Sequence, residues 1–354
     1  MKLMMVARRY PPDVRSGTER VFENLYSQAR ERHEVRLVVG YTQARDQVPP
    51  EAVAVDLRGL SKAQSWAAIG RACIQEEARF KPDVVLGNSI EVMTLRTPLA
   101  CIVHDLNFGS LKPSLGAQAK VQFYRLRARF SKTLITVSDA ARRSLTEAGL
   151  KPKNFHVIHN GVDLNQFSPF EPSRESDEVV FSYPSRILPG KGQHLAIDAV
   201  ARLPRLHKRR ARLTVVGAVV DPIFYDQLRV QAYEQPVDFA TDVAEIASFY
   251  QKADVVLFPT LLEEGFGFTA VEAMACGKPV IYFDQSAVRE ATGGIGIGVP
   301  RGDVDAMRDA MKTLMDDPEL RQRLGKEGRA YVEENYAWPV VWAKYERVLE
   351  ALFE

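Results

Sequence analysis

The chain has 354 residues, which suits two domains of ordinary size, and 46% of them are hydrophobic, enough for two cores. A formal net charge of +2 gives no strong global field to draw the chain to nucleic acid. The three cysteines, Cys73, Cys101 and Cys276, lack CxxC spacing, which argues against a disulfide framework or a thiolate metal site and points to a reducing cytoplasm.

The apolar start, Met1–Ala7, is too short for a signal-peptide core or a membrane span and reads as a first buried strand over Leu3–Ala7. A polar loop, Pro11–Glu19, leads into a helix over Thr18–Glu31, which Thr18 can cap. Strands are then predicted over Val35–Val39, Val84–Gly87, Ala100–Val103, Leu134–Val137 and His156–Ile158, with a helix over Asp139–Ala148. A further helix covers Gln118–Lys132. Its Phe123, Leu126 and Phe130 share one face, expected to be core. Arg125, Arg129 and Lys132 form a stripe beside Val121 that suits either plain solvation or an anionic lipid surface.

The pattern breaks at Phe167–Glu178, rich in Pro, Ser and charge, which is the expected linker. A second strand series follows at Val179–Tyr183, Arg212–Val216, Val237–Phe239, Val255–Phe258, Val280–Phe283 and Ile297–Val299. The chain closes on an amphipathic helix, Trp338–Phe353, whose apolar face needs a partner surface. Strands alternating with helices predict an α/β chain of two doubly wound parallel sheets in tandem with a cleft between them. Ligands of such sheets bind at the carboxyl ends of the strands.

The segment Leu262–Val280 carries the most chemistry. Gly265 and Gly267 make a tight turn where a ligand can approach the backbone. A helix is predicted over Thr269–Cys276, and Gly277 and Pro279 end it. Glu264 in the loop and Glu272 on the helix bracket exposed amides that form an anion site. A loop carboxylate can accept sugar hydroxyls, and one on the helix can accept ribose hydroxyls. Upstream, strand Val179–Tyr183 runs into Pro184-Ser185-Arg186-Ile187-Leu188-Pro189-Gly190-Lys191-Gly192. An Arg fork and a Lys point charge flanking a turn at a helix start suit a diphosphate.

Glu264 and Glu272 with seven residues between them, Glu264-Gly265-Phe266-Gly267 at the front and Glu272-Ala273-Met274-Ala275-Cys276-Gly277 before Pro279-Val280 at the back, resemble the motif of the retaining glycosyltransferases of family four, which have the GT-B fold. Arg186 to Gly192 resembles that family's phosphate clamp. Ser16-Gly17 stands where the family commonly has Gly-Gly in the loop facing donor and acceptor. Cys101-Ile102-Val103-His104-Asp105 ends in the family's His-Asp pair, and Val137-Ser138 and Asn160-Gly161-Val162-Asp163 match further segments, although a helix cap and a turn account for them almost as well.

The resemblance covers nearly the whole chain. It implies an acceptor-side domain over 1–166, a donor-side domain over 167–337, and a last helix, 338–354, crossing back to the first. It implies a hexosyltransferase-type enzyme that retains anomeric configuration without a metal or cofactor. Its donor is a nucleotide-diphosphate sugar on UDP or GDP, and its acceptor a glycan, lipid-linked or small molecule. Arg186 and Lys191 would neutralise the leaving diphosphate. Gly17, Glu264, Gly265, Phe266, Gly267, Phe268 and Thr269 would shape the donor site, Glu272 would bind ribose, and His104 would contact the sugar near the anomeric carbon. The expected location is cytoplasmic, with peripheral membrane contact through Arg125, Arg129 and Lys132.

Three segments imitate function. Gly293–Gly298 does not fit GxGxxG and reads as a turn before a strand. Asp303-Val304-Asp305 spells Asp-x-Asp but opens a helix, where Asp caps. His207–Arg212 reads as a solvated basic loop. Two other functions suit the same fold: an epimerase or hydrolase using Asp13 or Asp105 as base, and a non-catalytic sugar-nucleotide binder.

Overall fold

The computed structural model describes residues 1–354 apart from 12–16, 44, 46–47, 105–114, 171–176, 204–209 and 354. These residues form two units, 1–161 with 338–354, and 162–337.

The first unit is built on β1 (Lys2–Ala7), β2 (Glu34–Tyr41), β3 (Val53–Asp56), β4 (Val84–Gly87), β5 (Leu99–Val103), β6 (Thr133–Thr136) and β7 (Asn154–Val157). They form one parallel sheet in the order β3-β2-β1-β4-β5-β6-β7. The order reverses at β1, where Met5 pairs with Leu37 on one side and Leu86 on the other. Leu3 to Ala7 are wholly buried, as expected of a strand covered by helices on both faces. The sequence pattern did not single out β3, a four-residue edge strand whose side chains stay partly exposed. Helices α1 (Gly17–Arg30), α2 (Lys62–Phe80), α3 (Leu115–Phe130) and α4 (Asp139–Glu147) cover this sheet.

The second unit carries β8 (Glu178–Pro184), β9 (Arg210–Val216), β10 (Val237–Ala240), β11 (Val255–Phe258), β12 (Val280–Phe283) and β13 (Ile297–Val299). They too run parallel, in the order β10-β9-β8-β11-β12-β13, reversing between β8 and β11. Its helices are α5 (Gln193–Ala201), α6 (Pro222–Gln231), α7 (Ala247–Lys252), α8 (Phe268–Ala275), α9 (Ser286–Thr292), α10 (Val304–Asp316) and α11 (Pro318–Tyr336).

The last helix, α12 (Trp338–Phe353), belongs to the first unit, where it packs against α1 and β4. It buries Trp338, Val341, Trp342, Tyr345 and Leu349. Glu346 anchors its outer edge by bonding His33 Nε2 at 2.9 Å and Arg32 at 3.2 Å.

Three expectations need correction. The linker does not begin at Phe167, which is buried edge-on to Tyr250 (centroids 5.6 Å apart), and Gln251 bonds Ser168 O at 3.1 Å. Residues 162–166, between the first unit and Phe167, are held to the second unit from the start, Val162 N donating to Tyr336 O at 2.9 Å. The basic run is only partly a loop. Residues 207–209 lie outside the described set, but Arg210–Arg212 are in β9, and Arg212 pairs across the sheet with Glu178 (3.2 Å) and Asp238 (2.7 Å).

Helix α3 turns a different face inward from the one expected. Phe123 and Leu126 are 46% and 53% exposed, and Tyr124 and Ala128 face inward instead. Tyr124 Oη donates to Glu91 Oε1 at 2.8 Å, and the Arg127 guanidinium donates to the carbonyls of Ile90 and Val92. Amphipathic side chains bury their stems when their polar tips find partners, so a purely apolar count picked the wrong face. Arg125 also leaves the exposed stripe, donating from Nε to Ala148 O at 2.7 Å, at the end of α4 where a helix dipole favours a cation. Arg129 and Lys132 are exposed as expected.

One buried carboxylate fastens the segment between β4 and β5. Glu77 of α2 accepts N–H bonds from Leu95 (2.8 Å), Arg96 (2.9 Å) and Thr97 (2.7 Å). Burial pushes this carboxyl up, but the backbone donors and the Thr97 hydroxyl outweigh it and hold the group below the ordinary glutamate value. A depressed folded-state pKa contributes stability above the unfolded value, near pH 4.3, and loses it as pH falls through the folded one. Glu77→Gln is expected to cost about 1–3 kcal/mol at pH 7, since an amide cannot accept all three bonds. Urea denaturation should show that gap narrowing towards pH 3; a gap of equal size at pH 7 and pH 3 would contradict the assignment.

Candidate functional site

The reversal of strand order between β8 and β11 marks where a doubly wound sheet opens a crevice at its carboxyl edge. The turn after β8 and the loop after β11 meet there. Gly190 O accepts the N–H of Leu261 (2.9 Å) and of Leu262 (3.1 Å). Gly192 takes φ +78, and a Cβ on it would lie 2.0 Å from Pro259 O, so only glycine allows this approach. The Tyr183 hydroxyl, deep under the turn, donates to Lys191 O.

These contacts aim Lys191 at Glu264. Lys191 Nζ donates to Glu264 Oε1 at 2.6 Å, and Thr260 Oγ1 donates to the same oxygen at 2.9 Å. The side chains of Lys191 and Glu264 are 13% and 16% exposed, so the pair is mostly desolvated. Arg186, on the same turn, is exposed, and among the described residues nothing pairs with its guanidinium. Its backbone is fixed by Gln193 Nε2, which donates to Arg186 O at 2.8 Å. The turn and loop therefore present Arg186, exposed to solvent, and Lys191, paired, beside a carboxylate.

Both neighbouring helices start without a side-chain cap. Gly192 precedes α5 and Gly267, at φ +103, precedes α8. Uncapped N-termini are favourable places for an anion. Thr269 Oγ1 donates to Pro184 O at 3.1 Å, which ties the start of α8 to the end of β8. Phe266 turns its ring inward against Phe268 and Tyr336, so only its backbone is available to a ligand.

Glu272 lies deeper than its role in the motif implies. It is 5% exposed, and Tyr250 Oη donates to Glu272 Oε2 at 2.6 Å. Burial, reinforced by the Glu272 charge, raises the Tyr250 pKa well above the ordinary tyrosine value, so the phenol stays a donor. The α8 segment thus holds a carboxylate whose orientation a buried tyrosine fixes.

In the first unit, His104 follows β5 and its Nε2 lies 2.7 Å from Asn88 Oδ1, just past β4. An amide oxygen accepts, so Nε2 carries the proton in this arrangement. Gly17 is the first residue of α1, with Thr18 inside its first turn, while Ser16, Asp13 and Asp105 lie outside the described residues. Ser138 is a helix cap, its Oγ accepting from Ala141 N at 3.0 Å, and Asp163 accepts from Asn165 and Gln166 in a turn. Asp303 caps α10, bonding Ala306 N at 2.9 Å, and Asp305 pairs with Arg202 and Arg308. Gly293 closes α9 in a left-handed turn. The thiols of Cys73, Cys101 and Cys276 are pushed up to about 12 by burial, so none is a nucleophile at neutral pH.

Sequence reasoning missed Asn88, Thr260, Gln285 and Tyr250. The first three are polar residues within two positions of the carboxyl end of an apolar strand, a signal that was available. Tyr250 carries no such mark.

Two parallel doubly wound sheets with these residues at a strand-order reversal define the GT-B class of sugar-transferring folds. The sequence profile of glycosyl transferases group 1 matches residues 165–331, and that of glycosyltransferase family 4 matches residues 15–166. The chain belongs to this family. It is 34% identical over 223 residues to D-inositol 3-phosphate glycosyltransferase of Kineococcus radiotolerans, a match spanning 54% of this chain and about half (51%) of that relative. It is 26% identical over 385 residues to glycogen synthase of Mycobacterium tuberculosis, across 96% and 92% of the two chains. Among solved structures, Anabaena HepE in complex with UDP and glucose superposes with a TM-score of 0.80 at 20% identity, covering 99% and 100% of the chains. Sucrose-phosphate synthase from Thermosynechococcus elongatus gives 0.83 at 19%, covering 99% of each chain. At such identities these structures speak to the fold. Among the described residues no helix is long and apolar enough to cross a membrane.

Proposed function

We propose that the protein transfers a sugar from a UDP- or GDP-sugar to a hydroxyl of a glycan, lipid-linked or small-molecule acceptor, with retention of anomeric configuration and without a metal. The observation that carries this reading is the Lys191–Glu264 pair at the β8/β11 reversal, between two uncapped helix starts and beside the exposed Arg186. The relatives are named for sugar transfer and glycogen synthesis, and HepE binds UDP and glucose. Arg186, Lys191 and the start of α8 offer positive charge to a departing diphosphate, the task a divalent ion performs in other transferases. Glu264 accepts hydroxyls of the transferred sugar, and Glu272 those of the ribose. For the first unit, the same reading gives His104 the contact to the transferred sugar. In the step itself, the bond from C1 to the diphosphate oxygen breaks and the acceptor oxygen bonds C1 on the same face. The acceptor proton passes to the leaving diphosphate.

We place the protein in the cytoplasm, with α3 touching the inner membrane face. The exposed Phe123 and Leu126 beside Arg129 and Lys132 form a basic amphipathic surface of the kind that lies in a lipid interface. One assay tests these points together: UDP- and GDP-sugars with an acceptor panel, with and without EDTA and anionic vesicles, the product configuration read by NMR. Transfer with retention, insensitive to EDTA, and protein sedimenting with the vesicles are expected. Inverted product, or loss on chelation restored by manganese, contradicts the mechanism. Nucleotide release to water alone points to a hydrolase, and failure to sediment removes the membrane contact.

A further inference from the structure

We propose that Gln285 is a positioning residue for sugar transfer, a splint that holds the Glu264 loop in its working geometry. The inference rests on the reading of Glu264 as the sugar-binding carboxylate. Gln285 stands just after β12, at the N-cap position of α9, yet its side chain makes no cap bond. It crosses instead to the loop after β11, where it is only 7% exposed. Its Nε2 donates to Thr260 O at 2.7 Å, and its Oε1 accepts from Glu264 N at 3.3 Å. One amide therefore closes both ends of the segment 260–264, acting as a donor and an acceptor at once, as a peptide group in a sheet does.

One of the contacts on the Glu264 carboxylate leads back to this amide, while Gly190 O holds the middle of the loop through Leu261 N and Leu262 N. Thr260, whose carbonyl Gln285 holds, donates its hydroxyl to Glu264 Oε1 at 2.9 Å and accepts from Leu262 N at 3.3 Å. The same carboxylate oxygen receives Lys191 Nζ at 2.6 Å. Arg301 also bonds Glu263 and the Leu261 carbonyl, but Glu263 is 68% exposed, so that ion pair adds little rigidity. The chemistry of the splint is specific to glutamine. Methionine has its length but neither polar atom, and would leave Thr260 O and Glu264 N–H without that partner. Asparagine is one methylene too short, and glutamate keeps the acceptor but loses the donor. A shift of about 1 Å in a reacting group can cost on the order of a hundredfold in rate.

The test compares Gln285→Met, Glu264→Gln and the double variant by steady-state transfer, and by calorimetry with UDP, GDP, UDP-glucose and GDP-mannose. Gln285→Met is expected to lower kcat, and affinity for the sugar nucleotide that binds, by about tenfold or more. Affinity for the matching free diphosphate should change less than about threefold. In the Glu264→Gln background, Gln285→Met should add little further loss, because both act on one group. Equal losses for free diphosphate and sugar nucleotide, or fully additive losses, overturn the proposal. If Glu264→Gln itself leaves transfer and sugar-nucleotide affinity intact, the underlying reading of Glu264 falls instead. Should Gln285→Met not fold, Gln285→Glu takes its place, with partial loss expected on the same readouts.

Discussion

Arg186→Ala and Lys191→Ala are each expected to lower kcat by roughly 30- to 1,000-fold, about 2–4 kcal/mol of lost transition-state stabilisation on a departing diphosphate. Their effects on the folded protein should differ. Arg186 is exposed with no partner among the described residues, so its removal should leave thermal stability unchanged. Lys191 is paired with Glu264 at 2.6 Å in a largely desolvated site, and removing it strands a carboxylate. That should cost about 1–3 kcal/mol of stability, with the protein still folded at 25 °C. Saturating-donor kinetics and thermal unfolding on both variants check this. Near wild-type turnover in both would sink the diphosphate clamp, and equal melting temperatures would show that the Lys191–Glu264 pair contributes nothing to the fold.

Glu264→Gln is expected to impair transfer more than nucleotide binding, and Glu272→Gln to weaken nucleotide binding itself. A hydroxyl bonded to a carboxylate is worth about 1.5–3 kcal/mol, so each change should produce roughly a 10- to 150-fold effect on its own readout. The structure sharpens the second half. Tyr250 Oη holds Glu272 Oε2 at 2.6 Å, and the carbonyl oxygen of a glutamine can still accept that bond. The Gln variant should therefore fold normally while losing the charge that a ribose hydroxyl would meet. Calorimetry with free UDP or GDP, set beside transfer rates, separates the two roles. If Glu264→Gln weakens free nucleotide binding as much as Glu272→Gln does, this division of labour is wrong.

The strands at the centre of both sheets were legible because parallel strands covered on both faces read as unbroken apolar runs. Val84–Gly87, Val255–Phe258 and Val280–Phe283 fall where the pattern put them. The edge strand β3 was not legible, since a short, half-exposed run gives a weak signal. The face of α3 misled because its buried side carries Tyr124 and Arg127, whose polar ends are satisfied by Glu91 and by the carbonyls of Ile90 and Val92.

The sequence by itself determined the family, the α/β alternation, and the local chemistry of two segments: the Arg186–Gly192 turn and the Glu264–Glu272 loop and helix. Those signals lie within one turn or one helix, where spacing alone says which groups share a surface. The tertiary structure decided what each charged group does in the resting protein. It joins Lys191 to Glu264 across 73 residues, seats Glu272 against Tyr250, and splints the Glu264 loop with Gln285. These partners come from different strands and helices: Lys191 and Glu264 meet where the strand order reverses, Gln285 reaches over from the neighbouring β12, and Tyr250 from α7. No local periodicity records such a meeting, because which side chains converge at a sheet's carboxyl edge depends on the order of the strands rather than on their spacing along the chain.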